Sequence, residues 1–286
     1  MELAKLPIGA VGEWAVGVST TTLKPLFVLL GLVILSTAQV LRVILLAVPP
    51  WLVIIGVGIL AWWLSGRALA IFAVVALSLQ WNLRLWEPTA VTLSLVLTAA
   101  LLSLLVAIPL GILMAESRIV TGVLNPVLDF LQTMPRFIYL IPAIIIFGID
   151  TIGGVVATMT LAVPPPVRLT ALGIREIDRE VIEAGEAFGC SRWQLLCKIK
   201  LPLAVPSILL GVNQCIMMSL SMVVIAAMIG AGGLGAAILT GISRLDVGQG
   251  FEAGLGVVVV AILIDRLTKG FVARRARQLR MRAAGL

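Results

Sequence analysis

Apolar stretches near the length of a bilayer crossing recur from Leu26 to the basic C-terminal tail, and one crossing needs about 20 such residues. A chain patterned in this way is not built around a water-soluble core. Its 286 residues are 60% hydrophobic and 12% charged, with a mean hydropathy of +1.15, whereas a soluble domain is about half apolar and about a quarter charged. The expectation is an all-α, polytopic transmembrane bundle. It divides into an N-terminal segment over residues 1–48, a membrane domain over 49–272 and a basic tail over 273–286.

Leu26 to Val48 carries Ser36, Thr37, Gln39 and Arg42 and stops at Pro49-Pro50, so it either spans the bilayer or lies in the interface. Trp51 to Leu64 and Ala68 to Leu79 are each short, but merging them would place Arg67 mid-membrane beside the Ser65-Gly66 turn signal. They read as two helices and a tight turn. Thr89 to Ala115, Val123 to Ile149 and Val155 to Ile174 follow as three spans, separated by Glu116-Ser117-Arg118 and by Asp150 to Gly154. Arg175 to Lys200 is too charged for hydrocarbon and forms a polar helical excursion. Val205 to Ile229, then Gly254 to Ile264 with its flanks, complete about seven spans. Met1 to Thr22 lacks the pattern of a cleavable leader, and there is no internal repeat.

The basic residues set an orientation. Arg67, Arg118, Arg168, Arg175, Arg179, Arg192, Lys198, Lys200 and the tail from Arg266 to Arg282 fall on one side, and Arg84 and Arg244 on the other. The positive-inside rule makes the excursion and the C-terminus cytoplasmic. The net charge of +7 therefore reports topology and contact with lipid, not a nucleic-acid surface.

Histidine is absent, which removes the commonest general base and metal ligand. Cys190, Cys197 and Cys215 have no paired-ligand spacing and read as small apolar residues. No metal site and no catalytic residue is expected. The chain also lacks a Gly-x-x-x-x-Gly-Lys-Ser/Thr phosphate loop, so any ATP-driven role needs a partner that hydrolyses the nucleotide.

Within the excursion the chain reads Glu183-Ala184-Gly185, three residues, Gly189, nine residues, Ile199, one residue, Leu201-Pro202. Physically this is a short helix, a glycine-permitted turn and a second helix ended by Pro202, presenting a compact knob over residues 175–202. The pattern resembles the EAA loop of ABC importer permeases. Gly185 stands where that pattern prefers a second Ala, at a cost in helix propensity of about 1 kcal/mol. The plain alternative is an amphipathic loop between spans, which the long fixed-spacing match disfavours.

From about Trp51 to Lys269 the chain further resembles the permeases of glycine betaine and proline betaine importers. The segments carrying the likeness include Leu131 to Pro135, Tyr139 to Pro142, Gly211 to Gln214, Ser219 to Ala226, Gly232 to Gly235 and Ile264 to Thr268. The resemblance implies a type I permease fold in a bacterial cytoplasmic membrane. It also implies a second permease copy, two ATPase subunits that bind ATP and Mg and receive Glu183, Ala184, Gly185, Gly189, Ile199, Leu201 and Pro202, and an external binding protein. No cofactor is expected in this chain.

Asn213, Gln214, Ser219 and Ser221 sit in an apolar helix, where they either bond to neighbouring helices or line a polar path. Met218 and Met222 offer an adaptable surface to a methylated cation or simply fill the core. Arg136, flanked by Pro135 and Pro142, departs from the family pattern; it is expected to act as a gate or to pair with a carboxylate, Asp129 or Asp150. Gly230 to Gly241 reads as a re-entrant stretch or a flexible loop. No aromatic cage is visible, because the single Tyr and the mostly N-terminal Trp residues do not cluster within the spans. An ion-coupled secondary transporter would show inverted repeats and intramembrane acids, and a membrane enzyme a nucleophile with its base. A permease for another small solute is the alternative that survives best.

Overall fold

The computed structural model describes residue 22 and residues 24–283, with side chains described as far as residue 274. The stretch before residue 22, expected to hold no leader, and the side chains of Arg275, Arg277, Arg280 and Arg282 lie outside the described residues. Every regular element among the described residues is helical. The first half comprises α1 (Lys24–Ala47), α2 (Pro50–Ser65), α3 (Arg67–Asn82), α4 (Trp86–Glu116), α5 (Arg118–Thr133), a 3-10 turn (Arg136–Tyr139) and α6 (Leu140–Phe147). The second half comprises α7 (Thr151–Ala162), α8 (Pro164–Arg175), α9 (Arg179–Ala187), α10 (Arg192–Leu195), α11 (Leu201–Ser221), α12 (Val223–Ala227), α13 (Gly233–Ser243) and α14 (Val247–Ala283).

Five helical stretches are long and apolar enough to cross a membrane: Lys24–Ala47, Trp86–Glu116, Thr151–Arg175, Arg192–Ser221 and Val247–Arg274. The N-terminal segment, read from sequence as spanning or interfacial, thus contains a helix of spanning length. Two further helical pieces, Arg118–Thr133 and Arg136–Phe147, are apolar enough only when taken together and are bent by 112°, which makes them a broken span or a re-entrant loop. The straight span expected from Val123 to Ile149 is therefore broken. Pro135 holds Met134 in extended backbone (φ −66, ψ 135), as a residue preceding proline is driven to be.

The expected count of about seven spans exceeds five or six, and the difference lies in α2 and α3. Each has 16 residues and rises about 24 Å, short of the roughly 30 Å hydrocarbon core. The two helices and tight turn expected here do form. Gly66 adopts φ 95, and its N–H caps Trp62 O at 3.0 Å. Ile54, Ala61, Ala73, Ala76 and Leu77 of this hairpin bury together with Val259 and Leu263 of α14.

The centre of the bundle is α4. It buries Thr92, Ser94, Thr98 and Ser103 along with Ala90, Ala99, Ala100 and Ala107. Two of these hydroxyls bond within their own helix, Ser94 Oγ donating to Val91 O and Thr98 Oγ1 to Ser94 O, both at 2.7 Å, and Ser103 Oγ donates across to Met159 O of α7 at 3.5 Å. Small residues bring neighbours into backbone contact, as association in lipid favours. A Cβ placed on Gly111 of α4 would lie 2.6 Å from Thr170 Cβ of α8, and one on Gly173 of α8 would lie 2.4 Å from Ser207 Cβ of α11.

Polar contacts mark the two ends of the bundle. At one end Lys200 Nζ pairs with Glu116 Oε1 at 2.6 Å, and Arg175 Nη2 donates to Thr121 Oγ1 at 2.5 Å and to the carbonyl of Met114. At the other, Arg42 Nη2 pairs with Glu87 Oε1 at 3.1 Å, while Gln80 Nε2 donates to Gly256 O at 2.9 Å and Gln80 Oε1 accepts from Thr89 Oγ1 at 3.0 Å.

Candidate functional site

The polar excursion forms a knob on the Lys200–Glu116 end. α9 stops at Ala187, and Gly189 (φ +76) turns the chain, a conformation glycine adopts without strain. Ser191 and Gln194 then form a reciprocal capping box, with Ser191 N donating to Gln194 Oε1 at 2.9 Å and Gln194 N to Ser191 Oγ at 3.3 Å. Beyond α10 the helix widens into a π segment, Leu196–Lys200, where Leu201 N bonds Leu196 O. Pro202 does not end this helix, contrary to expectation. It sits in the first turn of α11, where a missing N–H is tolerated, and the rod continues from Arg192 to Ser221.

The structure brings Gly185 and Ile199 of the motif together. Gly185 is buried, and a Cβ there would lie 2.6 Å from Ile199 Cδ1 and 2.8 Å from Leu195 Cδ1. The glycine that weakens helix propensity is thus the residue that lets the second helix seat on the first. Glu183, Ala184, Gly189 and Pro202 are exposed and Leu201 is half-buried. Sequence reasoning overlooked Phe188 and Trp193, which are 90% and 72% exposed on the knob. Two aromatics inside a charged, non-spanning segment were the available signal.

The path candidates on α11 and at its C-cap, Met222, are placed differently from one another. Asn213, Ser219 and Met222 are buried, Met218 and Ser221 half-buried, and Gln214 exposed. Ser219 Oγ donates to Cys215 O at 2.9 Å and Ser221 Oγ to Met218 O at 2.8 Å. Asn213 Nδ2 donates to Asp265 Oδ1 at 3.2 Å, and Lys269 Nζ bonds the other carboxylate oxygen at 2.8 Å. Met222 packs with Tyr139, Leu140 and Ala143. Ser219 also reaches a narrow cavity of about 20 Å³ with Thr92 and Thr158.

Arg136 and Asp129 do not pair. Asp129 Oδ1 bonds Arg168 Nη2 at 2.5 Å, while Arg136 lies exposed beyond the break at Pro135. The 112° bend separates two residues that a straight helix would stack two turns apart. The Gly230–Gly241 stretch is a glycine turn leading into α13, pinned to α4 by Leu234 N donating to Thr92 Oγ1 at 2.8 Å. No group of three or more His, Cys, Asp or Glu with metal-binding geometry occurs among the described residues.

Residues 107–280 match the family described as binding-protein-dependent transport system inner membrane component. The glycine betaine/carnitine transport permease protein GbuB of Listeria monocytogenes is 50% identical over 228 residues, 78% of this chain and 81% of that protein. The glycine betaine transport system permease protein OpuAB of Bacillus subtilis is 45% identical, covering 80% of this chain and 81% of its own length. Among solved structures, an inward-facing MetNI methionine ABC transporter superposes with a TM-score of 0.59 at 20% identity, over 67% of this chain and 95% of the other. A knob built on the EAA spacing, carried by a bundle of this fold and by a sequence half identical to a known permease over most of its length, places the chain in the family of binding-protein-dependent transport system inner membrane components.

Proposed function

We propose that this chain forms the gated membrane path of an ATP-driven importer for glycine betaine or a closely related methylated ammonium compound. The observation that carries the mechanism is the knob: a rigid, capped helix pair that displays Glu183, Phe188 and Trp193 and continues without interruption into α11. An exposed aromatic pair beside a carboxylate suits insertion into a groove on a partner, and the continuous rod carries a tilt of the knob into the bundle. The partner is an ABC ATPase, two copies per complex, which binds ATP and Mg; this chain supplies no catalytic residue. Two copies of the chain pair in the bacterial inner membrane around the path, and an external binding protein delivers the solute. The knob and the C-terminus face the cytoplasm, as the basic residues at that end favour, and the Arg42–Glu87 end faces outward.

The substrate class rests on the names of the relatives. The chain's single tyrosine and mostly N-terminal tryptophans favour selection mainly by the binding protein. The test is reconstitution in liposomes with the ATPase and binding protein. Glycine betaine uptake that requires both partners and ATP is expected; uptake by this chain alone under an ion gradient would sink the proposal. Uptake of another solute, such as an amino acid, in place of betaine would favour a permease of different cargo.

A further inference from the structure

A polar cleft of about 420 Å³ opens on the end opposite the knob, within the size range of small-molecule sites, about 300–1,000 Å³. Gln39 and Arg42 of α1, Ser94 of α4, Thr151 of α7 and the backbone of Gly230 to Gly233 line it. Through Leu95, Ala231 and Gly232 it adjoins the narrow cavity that ends at Ser219. Arg42 stands in its wall and holds Glu87 at 3.1 Å, with the two side chains 49% and 68% exposed.

Stability does not explain this pair. An exposed ion pair contributes little, and at the polar end of the bundle the half-exposed Arg42 guanidinium is open to water and to a ligand. Both residues also precede the segment 107–280 that matches the family. The geometry points to a receiving site for a small zwitterion, in which the Arg42 guanidinium in the cleft wall takes the carboxylate, and Glu87, outside the lining and held only through Arg42, is released to meet the methylated ammonium. The fixed fork of arginine suits a two-pronged bond to a carboxylate. Leu35 and Leu95 supply apolar wall for methyl groups. Inserting the zwitterion exchanges one ion pair for two, so neither charge is left bare when the pair opens. This site rests on the importer reading above and deepens it: α1 adds a checkpoint for the carboxylate after the binding protein releases its cargo.

The test uses the permease with its ATPase in nanodiscs, without binding protein, titrated with glycine betaine and with choline, which lacks the carboxylate. Saturable glycine betaine binding is expected to weaken about tenfold or more in Arg42→Gln, the loss typical of a charge-assisted hydrogen bond, and to persist in part in Arg42→Lys. Choline, which would leave Arg42 bare on opening the pair, is expected to bind the wild type more weakly than glycine betaine does and to lose no affinity in Arg42→Gln. If the wild-type complex binds no glycine betaine, or if Arg42→Gln lowers thermal stability while leaving betaine affinity unchanged, the pair is only a strap between α1 and α4 and the proposal falls. Uptake by the wild-type complex with binding protein separates the two readings. Intact betaine uptake with no effect of Arg42 on binding removes this site alone, and absence of betaine uptake removes the substrate class itself.

Discussion

Asn213 on α11 and Asp265 on α14 meet through an amide-to-carboxylate hydrogen bond of 3.2 Å, joining two segments of the chain that carry its likeness to the betaine permeases. The bond ties the rod that begins at the knob to the last helix. Lys269 closes the network from one turn further along α14, at 2.8 Å, while Asn213 Oδ1 is buried and accepts no bond among the described residues.

Removing one member should cost more than removing both. Asp265→Leu strips the buried Asn213 amide of its acceptor and is expected to cost about 1–3 kcal/mol, whereas Asn213→Leu with Asp265→Leu should recover part of that loss. Thermal unfolding of the purified permease in detergent gives the comparison, and strictly additive effects would show that the two residues do not interact.

Glu183→Ala is expected to leave the permease in the membrane and weaken its assembly with the ATPase or its coupling to ATP turnover. Phe188→Ala, truncating a side chain that is 90% exposed, should weaken assembly by about 2 kcal/mol, the scale of an interface anchor. Co-purification of the two subunits and substrate-stimulated ATPase rates measure both. Unchanged values in both variants would remove the knob from the interface.

At Gly185 the outcome should depend on size. Ala presses on the mobile ends of Ile199 and Leu195 at 2.6 and 2.8 Å, so a modest loss of coupling is expected, relieved by Ile199→Val. Gly185→Val adds an isopropyl group, two methyls more than Ala, to a filled contact and should separate the helices, with an overpacking cost of about 1–3 kcal/mol. ATPase stimulation in the single and double variants checks this order; a fully active Gly185→Val would contradict the packing.

The partner of Asp129 can be read from two double-mutant cycles. Asp129→Asn and Arg168→Gln should be non-additive in stability, because these residues share a 2.5 Å bond, while Asp129→Asn and Arg136→Gln should add. Coupling to Arg136 in place of Arg168 would restore the pairing expected from a straight helix.

A reporter fused after Leu286 should be active only in the cytoplasm. The basis is the charge at that end, where Arg274 lies 4.1 Å over the ring of Trp63 and more arginines follow in sequence. Activity only on the outer side would invert the whole topology, and with it the placement of the knob.

The chain's own sequence determined the membrane class, the helical hairpin at Gly66, the polar excursion and the spacing of its motif, because hydropathy, charge and turn chemistry act over a few neighbouring residues. Contacts between distant segments were decided only in three dimensions. The sequence offered Asp129 a cation two turns away, yet the bend at Pro135 turned Arg136 aside and left Arg168, on another helix, to take the bond. Pro202 looked like a terminator until the π segment before it carried the helix through. Gly185 read as a weakness in a helix until Ile199 was found lying on it. Asn213 and Ser219 showed as polar residues in an apolar run, but which of them faced a carboxylate and which a cavity depended on the helices packed against α11. Periodicity reports which residues leave water; what they meet afterwards is settled by packing, where every neighbour comes from elsewhere in the chain.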